Sequence, residues 1–210
     1  MLGDMVTRAE SAAATRRALL DAAAELLELG GPEAVTLREV GARVGVTRGA
    51  PYRHFADKDS LLTAVATESW ERIVDQVHVL RTDPALSAAE KLRGALRALI
   101  GLGREQPYMY QMLFWWRGHR RGEGLRRQLC GPADDPAEAV LATAERFQDE
   151  FLAIVAALVG ERDSGHYGAL LLAGAHGMAG MELSGHLGTD KWRTTSDELV
   201  DTLVRMVSEA

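Results

Sequence analysis

The sequence TLREVGARVGVTRGAPYRHFADK, residues 36–58, predicts two short helices joined by a tight turn and followed by the start of a third helix. Thr36 is a favourable N-cap for the first helix. Residues at helical spacing give that helix one buried face: Leu37, Val40, Gly41 and Val44. Gly45 supplies the left-handed residue that a sharp turn needs, and Thr47 is expected to cap a second helix over residues 48–55. This pattern is typical of a helix-turn-helix, whose second helix fits the major groove of DNA.

The start of each predicted helix carries residues suited to nucleic acid. As N-caps, Thr36 and Thr47 place a hydroxyl and the helix-start amides where a phosphate can bind. Arg48 follows one residue later, and an arginine can bond guanine through two hydrogen bonds in the major groove. Each residue alone is more often an incidental surface group, but the joint spacing is specific to a DNA-binding motif.

The remaining residues of the second helix fit close contact with DNA. Gly49 and Pro51 lack bulky flexible side chains, and Pro51 is expected to cost little backbone hydrogen bonding because it lies early in the helix. Tyr52 and His54 suit phosphate or sugar, and Tyr52 can also touch a thymine methyl group. Lys58 adds a phosphate contact at the start of the next helix.

Composition sets wider limits. The chain has 210 residues, of which 47% are hydrophobic and only 6 are proline, so it can bury a sizeable core. No apolar run approaches the roughly 20 residues of a membrane span, and the N-terminus lacks the apolar core of a secretion signal. A single cysteine, Cys130, excludes an internal disulfide framework. We therefore expect a cytoplasmic protein with no membrane partner.

The formal net charge of -6 argues at first against a nucleic-acid-binding protein. Its distribution removes that objection, because residues 38–58 carry a local net charge of +3. A negative body does not cancel this positive surface beyond a Debye length of about 8 Å.

Hydrophobic spacing follows the helical period throughout, so we predict an all-α fold of about nine helices. A first helix is expected from about Thr15 to Gly30, and a long helix from Asp57 to Asp83. Capping boxes at Ser87–Glu90 and Thr195–Glu198 open two later helices. The other predicted elements are an aromatic helix over 107–116, a loop over 117–136 with a short helix at 125–130, and helices over about 137–159 and 166–185. The expected units are a flexible arm (1–14), a helix-turn-helix domain (15–60) and a ligand-binding and dimerisation domain (61–210).

Residues 15–62 resemble the DNA-binding domain of TetR-family transcriptional regulators, most clearly in the run VGVTRGAPYRHFADKDSLL. The resemblance implies an all-α homodimer with three DNA-binding helices and a helical body that binds a small-molecule effector. It also implies DNA contacts at Arg17, Thr36, Arg38, Thr47, Arg48, Gly49, Pro51, Tyr52, His54 and Lys58. Leu27 stands where the family usually has Phe and Gly41 where Ala is usual, which affects core packing rather than base recognition. The implied function is that of a repressor that binds a palindromic operator in double-stranded DNA and is released by its effector.

The C-terminal part offers a second resemblance. PYMYQMLFWW (107–116) together with ALLLAGAHGMAGMELSGHL (169–187) is similar to a subgroup of TetR C-terminal domains that share a Trp and a His-Gly. The second segment is rich in Gly and Ala, which let helices approach closely. We therefore expect a homodimer that forms through the last two helices.

The aromatic helix has two interpretations. An apolar stripe of this kind is more often plain core. The functional interpretation is an apolar pocket with polar groups for a small effector, lined by Met109, Tyr110, Leu113, Phe114, Trp116, His119, Phe147, Phe151, His176 and Met178. A similar choice applies to residues 117–127, where an arginine cluster indicates either an anion site or, more often, a solvated loop.

Two other functions compete with a ligand-responsive repressor. One is a helix-turn-helix regulator without a small-molecule effector. The other is a small helical enzyme, for which 6 histidines and Cys130 are the available chemistry. No HExxH or CxxC pattern occurs, and Glu182 with His186 supplies only two ligands. We therefore expect no catalytic residues, no metal and no cofactor.

Overall fold

The chain is all-α wherever its structure is described. A computed structural model describes the backbone of residues 2–114 and 136–209 and the side chains of residues 9–114 and 140–209. Those ranges contain nine α-helices, one 3-10 turn and no strand, as predicted. The helices are α1 (Leu2–Ala34), α2 (Leu37–Val44), α3 (Lys58–Thr82), α4 (Ala88–Glu105), α5 (Pro107–Phe114), α6 (Pro136–Val159), α7 (Glu161–Leu183), α8 (Thr189–Trp192) and α9 (Ser196–Ser208), and the 3-10 turn is Pro51–Arg53. The short helix predicted at 125–130 lies outside the described residues.

Helix α1 begins at Leu2 rather than near Thr15, so the segment expected to be an arm has a helical backbone. Residues 9–14 are all exposed and rich in alanine. A solvated helix of strong helix formers needs no apolar stripe, and the stripe was the signal used to place its start. Regular geometry ends where expected, at Gly30 and Gly31, whose φ angles are −152° and 70°.

The first half of residues 36–58 folds as predicted. The Thr36 hydroxyl accepts a hydrogen bond from the N–H of Glu39 at 3.1 Å and caps α2. Gly45 is left-handed, with φ 76°, and its N–H donates to the carbonyl of Ala42. The next amide, of Val46, donates to the carbonyl of Gly41 at 3.1 Å, which completes the helix end.

The prediction of a second helix over residues 48–55 is wrong, because no α-helix forms between residues 45 and 57. An α-helix from Thr47 needs the N–H of residue 51 to donate to the Thr47 carbonyl, and Pro51 has no N–H. That carbonyl instead accepts from Ala50 at 2.9 Å, and the Pro51 carbonyl accepts from His54 at 3.0 Å. The segment is therefore a series of tight turns containing the 3-10 turn. Thr47 therefore does not cap a helix. Pro51 removes more backbone hydrogen bonding than expected, because its missing N–H prevents the α-helix from forming.

This turn is held against α2 by a close contact. Pro51 is buried, and a Cβ placed on Gly41 would lie 2.7 Å from the Cγ atom of Pro51. The missing side chain of Gly41 therefore leaves the space that the proline ring occupies. Its departure from the usual alanine affects the packing of the DNA-facing turn itself.

Helix α3 is long and contacts α1, α4, α5 and α6. Asp57 caps it in a capping box with Ser60, whose N–H donates to the Asp57 carboxylate at 2.7 Å. The capping boxes at Ser87–Glu90 and Thr195–Glu198 also form and open α4 and α9, as predicted. Helix α7 begins at Glu161, ahead of the expected start near 166, because the one residue Gly160, with φ 86°, separates it from α6.

Replacing Gly41 by alanine should destabilise the protein, because the new methyl group must displace the ring of Pro51. Overpacking of this kind costs about 1–3 kcal/mol. Chemical denaturation of wild type and Gly41→Ala measures the difference. Gly49→Ala is the matched control in the same segment, since no atom lies within 4 Å of a Cβ at Gly49. A Gly41→Ala protein as stable as wild type would show that the contact is not tight.

Candidate DNA-binding surface and ligand site

Most residues predicted to contact DNA are accessible. Thr36 and Arg38 on α2, and Thr47, Arg48 and Gly49 in the turn, are exposed. Tyr52 is 57% exposed, an unusual position for a large aromatic side chain. His54 and Lys58 are partly buried. The turn thus presents a guanidinium and a phenol to solvent side by side.

Three guanidinium groups of this surface have no partner among the described residues. The side chains of Arg38, Arg48 and Arg53 form no ion pair or hydrogen bond within residues 9–114 and 140–209. Arg53 is exposed in the 3-10 turn and was not among the predicted contacts. The sequence nevertheless indicates Arg53 as a candidate contact, because it lies within the positively charged residues 38–58. Unpaired guanidinium groups are available for phosphate or base edges.

Arg17, which is predicted to contact DNA, has carboxylate partners in the free protein. Its Nε atom donates to Asp21 at 3.0 Å and its Nη1 atom to Glu68 of α3 at 2.8 Å, so it ties α1 to α3. The hydrogen bond that Arg17 donates to the Asp21 carboxylate raises the pKa of Arg17 above its ordinary value. These ion pairs line a groove of about 390 Å³ between the two helices. The guanidinium is therefore held by carboxylates rather than free.

The neighbouring Arg16 lies against the helix-turn-helix segment. Its guanidinium lies 5.3 Å from the ring centre of Phe55, the buried residue that follows the 3-10 turn. It is exposed and has no carboxylate partner among the described side chains. Adjacent arginines on a helix cannot be told apart by composition, because only the packing of α1 decides which one faces α3.

Two further predicted contacts change. Pro51 is buried against Gly41, so it supports the turn instead of approaching DNA. The Nζ atom of Lys58 lies 3.8 Å from the carboxylate of Glu33, whose side chain is 97% exposed. An ion pair at that distance and exposure contributes little, and Lys58 stays available for phosphate.

The described part of the predicted ligand pocket is an aromatic cluster, which we define as Trp70, Tyr110, Phe114, Phe147, Phe151 and His176. Phe114 lies 5.0 Å from Trp70 and 4.5 Å from His176, measured between ring centres. Phe147 lies 5.3 Å from Trp70 and stacks on Phe151 at 6.0 Å. Helices α3, α5, α6 and α7 thus meet at these rings.

The other pocket residues divide into two groups. Met109, Leu113 and Met178 are buried in the surrounding core. Trp116, His119 and the arginine-rich stretch 117–127 lie outside the described residues. Trp70 was missed, although it shares helical spacing with Ile73, Val74 and Val77, which was a usable signal.

One hydrogen bond supplies the polarity of the aromatic cluster. The Tyr110 hydroxyl and the Nδ1 atom of His176 lie 2.6 Å apart. Burial raises the pKa of Tyr110 to about 12 and lowers the pKa of His176. At neutral pH the phenol is therefore protonated and donates to a neutral imidazole, which then carries its proton on Nε2. The pair offers one imidazole N–H to a ligand and holds no net charge.

The described residues contain no group of three or more His, Cys, Asp or Glu side chains placed to hold a metal ion. None of the helices they form combines the length and apolar character that crossing a membrane requires.

Comparisons with known proteins agree with this architecture. A Mycobacterium tuberculosis protein named as an HTH-type transcriptional repressor is 30% identical over 136 residues, which cover 65% of this chain and 66% of the relative. About one third of that relative lies outside the match. A TetR/AcrR-family regulator from Thermobifida fusca has the same fold, with a TM-score of 0.65, 18% identity and coverage of 92% and 96% of the two chains. So does Bacillus subtilis FadR, solved in complex with stearoyl-CoA, with a TM-score of 0.60, 12% identity and coverage of 91% and 97%.

Two family models match the chain in succession. The model described as "Bacterial regulatory proteins, tetR family" matches residues 19–65, which contain the helix-turn-helix. The model described as "Tetracyclin repressor-like, C-terminal domain" matches residues 92–207, which is more than half of the chain and includes α5 to α8 and all but the last residue of α9. The chain therefore belongs to the TetR family of bacterial transcriptional regulators.

Proposed function

We propose that this protein is a dimeric repressor that binds a palindromic operator in double-stranded DNA and is released by a small, largely apolar effector. The observation that carries the DNA-binding part is the set of unpaired, exposed arginines at the helix-turn-helix, namely Arg38, Arg48 and Arg53. In a chain with a net charge of -6, the clustering of three such cations on one motif favours a local anionic partner there.

An exposed apolar face on the last helices supports a dimer. Leu170 is 49% exposed, Met181 36% and Met206 64%. Small exposed residues lie between the first two of these on α7: Ala173 and Gly177. Large apolar side chains beside small residues fit a second copy of the same face, and a palindromic operator requires a twofold dimer whose two turns lie about 34 Å apart.

The aromatic cluster supports an apolar effector. Its rings come from four helices, and the Tyr110–His176 pair gives it one uncharged polar group. A ligand that separates these rings would bind one arrangement of the body better than the other. Linkage then requires that DNA weakens the ligand by the same factor by which the ligand weakens DNA.

A regulator without an effector is the second candidate, favoured by the close packing of the same cluster. Tyr110 is fully buried and Phe151 is 1% exposed, as in an ordinary core. Titrating the protein–DNA complex with apolar small molecules, and separately with stearoyl-CoA, whose apolar acyl chain is attached to an anionic coenzyme A, separates the two. Release of DNA by one of them supports the repressor with an effector.

Arg48→Ala should relax base preference, because an arginine that bonds a guanine edge accounts for about 1–3 kcal/mol of discrimination. Lys58→Ala should instead weaken binding to all sequences alike and reduce the salt dependence by about one counterion. Fluorescence anisotropy with the duplex upstream of the protein's own gene, set against a scrambled duplex, measures both. Absence of salt-sensitive, sequence-specific binding by the wild type would contradict the proposed function.

Two arginines of α2 give a matched comparison for the same assay. Arg38 has no partner among the described residues, whereas Arg43 is paired with Glu25 at 2.9 Å. We expect Arg38→Ala to lose more DNA affinity than Arg43→Ala. Equal losses would show that the pairing in the free protein does not decide which arginine meets DNA.

Leu170→Glu and Met206→Glu should each shift the protein from dimer to monomer, because a charge buried at the interface is strongly unfavourable. Sedimentation velocity measures the change. Val79→Glu is the matched control, since Val79 is 65% exposed on α3. A dimer that survives both substitutions would place the interface elsewhere.

Lowering the pH should destabilise the wild type through His176. Burial lowers the pKa of this imidazole below its ordinary value of 6.5, and protonation of Nδ1 also removes the acceptor used by Tyr110. Its contribution to stability is full above 6.5 and is lost as the pH falls through the lowered folded-state pKa. Urea denaturation at about pH 7.5 and about pH 5.5 should show a smaller loss for His176→Asn than for wild type. The exposed His166→Asn is the control, and equal losses in all three proteins would refute the assignment.

A further inference from the structure

A carboxylate on the DNA-binding unit caps a helix of the ligand-binding body. Glu28, near the end of α1, accepts hydrogen bonds from the backbone N–H of Met109 at 3.0 Å and of Tyr108 at 3.3 Å. Both amides lie in the first turn of α5, where N–H groups have no partner within the helix. The body thus depends on a residue of the DNA-binding unit to satisfy the start of one of its own helices.

A packing contact reinforces this link. Gly31, at the break in α1, is buried, and a Cβ there would lie 3.1 Å from the ring of Tyr108. Its φ of 70° is a conformation that glycine adopts without strain. The first turn of α5 is therefore held by two hydrogen bonds and one ring contact, all from the last residues of α1.

Two residues of α5, Tyr110 and Phe114, belong to the aromatic cluster. Tyr110 follows directly after the capped amides and bonds His176, and Phe114 contacts Trp70 and His176. Tyr110 is the residue next to Met109 in the first turn of α5, so a shift that a ligand imposes on Tyr110 also moves the capped amides. The helix reaches from the proposed effector site to Glu28.

The contact between Glu28 and the first turn of α5 is sensitive to displacement of that helix. Glu28 is partly buried, and burial raises its pKa although the two amide hydrogen bonds act against that rise. An ionised carboxylate also gains from the positive end of α5. Both amide bonds need the carboxylate in register with the first turn, so a displaced α5 loses them together.

We propose that Glu28 is the positioning residue that couples the effector site to the DNA-binding unit. Through it, displacement of α5 reorients α1, which carries Arg16 and packs against α2. The inference rests on the proposed function, which supplies the two ligands, operator DNA and the small effector. It adds a second connection beside the continuous helix α3.

Hydrogen exchange of the α5 amides, with and without bound DNA, tests the coupling. The DNA probe is the duplex upstream of the protein's own gene, at a concentration that saturates each variant. In the wild type, DNA should change exchange in residues 107–114 by about fivefold or more, because coupled sites respond to each other's ligands. Glu28→Ala should abolish that response while DNA stays bound, and Glu28→Gln, which keeps one acceptor oxygen, should restore part of it.

The control is Glu10→Ala, an exposed acid on the same helix without a partner among the described side chains. It should leave the DNA response of α5 unchanged. A purely structural role for Glu28 would raise exchange throughout the protein, α9 included, without removing the response to DNA. A Glu28→Ala protein that keeps the wild-type response in α5 overturns the proposal.

Failure of the proposed function gives a different result. If the wild type does not bind the duplex, the same variants are compared without DNA. Coupling predicts that Glu28→Ala and Glu28→Gln change exchange both in residues 107–114 and in residues 36–56, with α9 unaffected. Changes confined to the amides of Tyr108 and Met109 would overturn the coupling in that arm.

Discussion

The shape of the DNA-facing surface depends on the contact between Pro51 and Gly41. Pro51 cannot donate the hydrogen bond that an α-helix needs at that position, so the chain forms a tighter turn. Gly41 leaves the space in which the proline ring packs. With Pro51 and Phe55 facing the core, Tyr52 and Arg53 between them face solvent. The buried residues Pro51 and Gly41 thus determine the conformation of an exposed surface to which they do not themselves contribute.

Ion pairing, rather than the count of charges, determines which cations DNA can meet. Residues 38–58 have a net charge of +3, but Arg43 in that run is held by Glu25. Carboxylates on the body are engaged in the same way, for example Glu150 by Arg81 and Glu182 by Arg104. Each pair presents little net charge beyond a Debye length of about 8 Å. The unpaired arginines of the turn therefore dominate the local field in spite of the negative total.

Short-range rules account for what the sequence predicted well. The Thr36 cap, the left-handed Gly45 and the capping boxes each depend on residues at most four positions apart. The wrong second helix is also local, because it follows from the missing N–H of Pro51, whereas contacts with a distant partner could not be predicted at all. Arg17 faces Glu68, 51 positions away, and Glu28 meets α5, 80 positions away, so neither partner is visible in local spacing. For the ligand site, periodicity found the apolar residues, but only packing brought Tyr110 and His176 together.

The two connections between the DNA-binding unit and the body constrain different motions. Helix α3 is continuous for 25 residues, so it resists bending but can swing about its N-terminal end. The contact of Glu28 with α5 lies on another side of the unit, on α1, and limits that swing as long as its two hydrogen bonds persist. In a symmetric dimer, the DNA-binding units of both protomers rotate equally, so the two rotations together change the distance between their DNA-facing turns. A small displacement of α5 in each protomer is then sufficient to change their fit to successive major grooves.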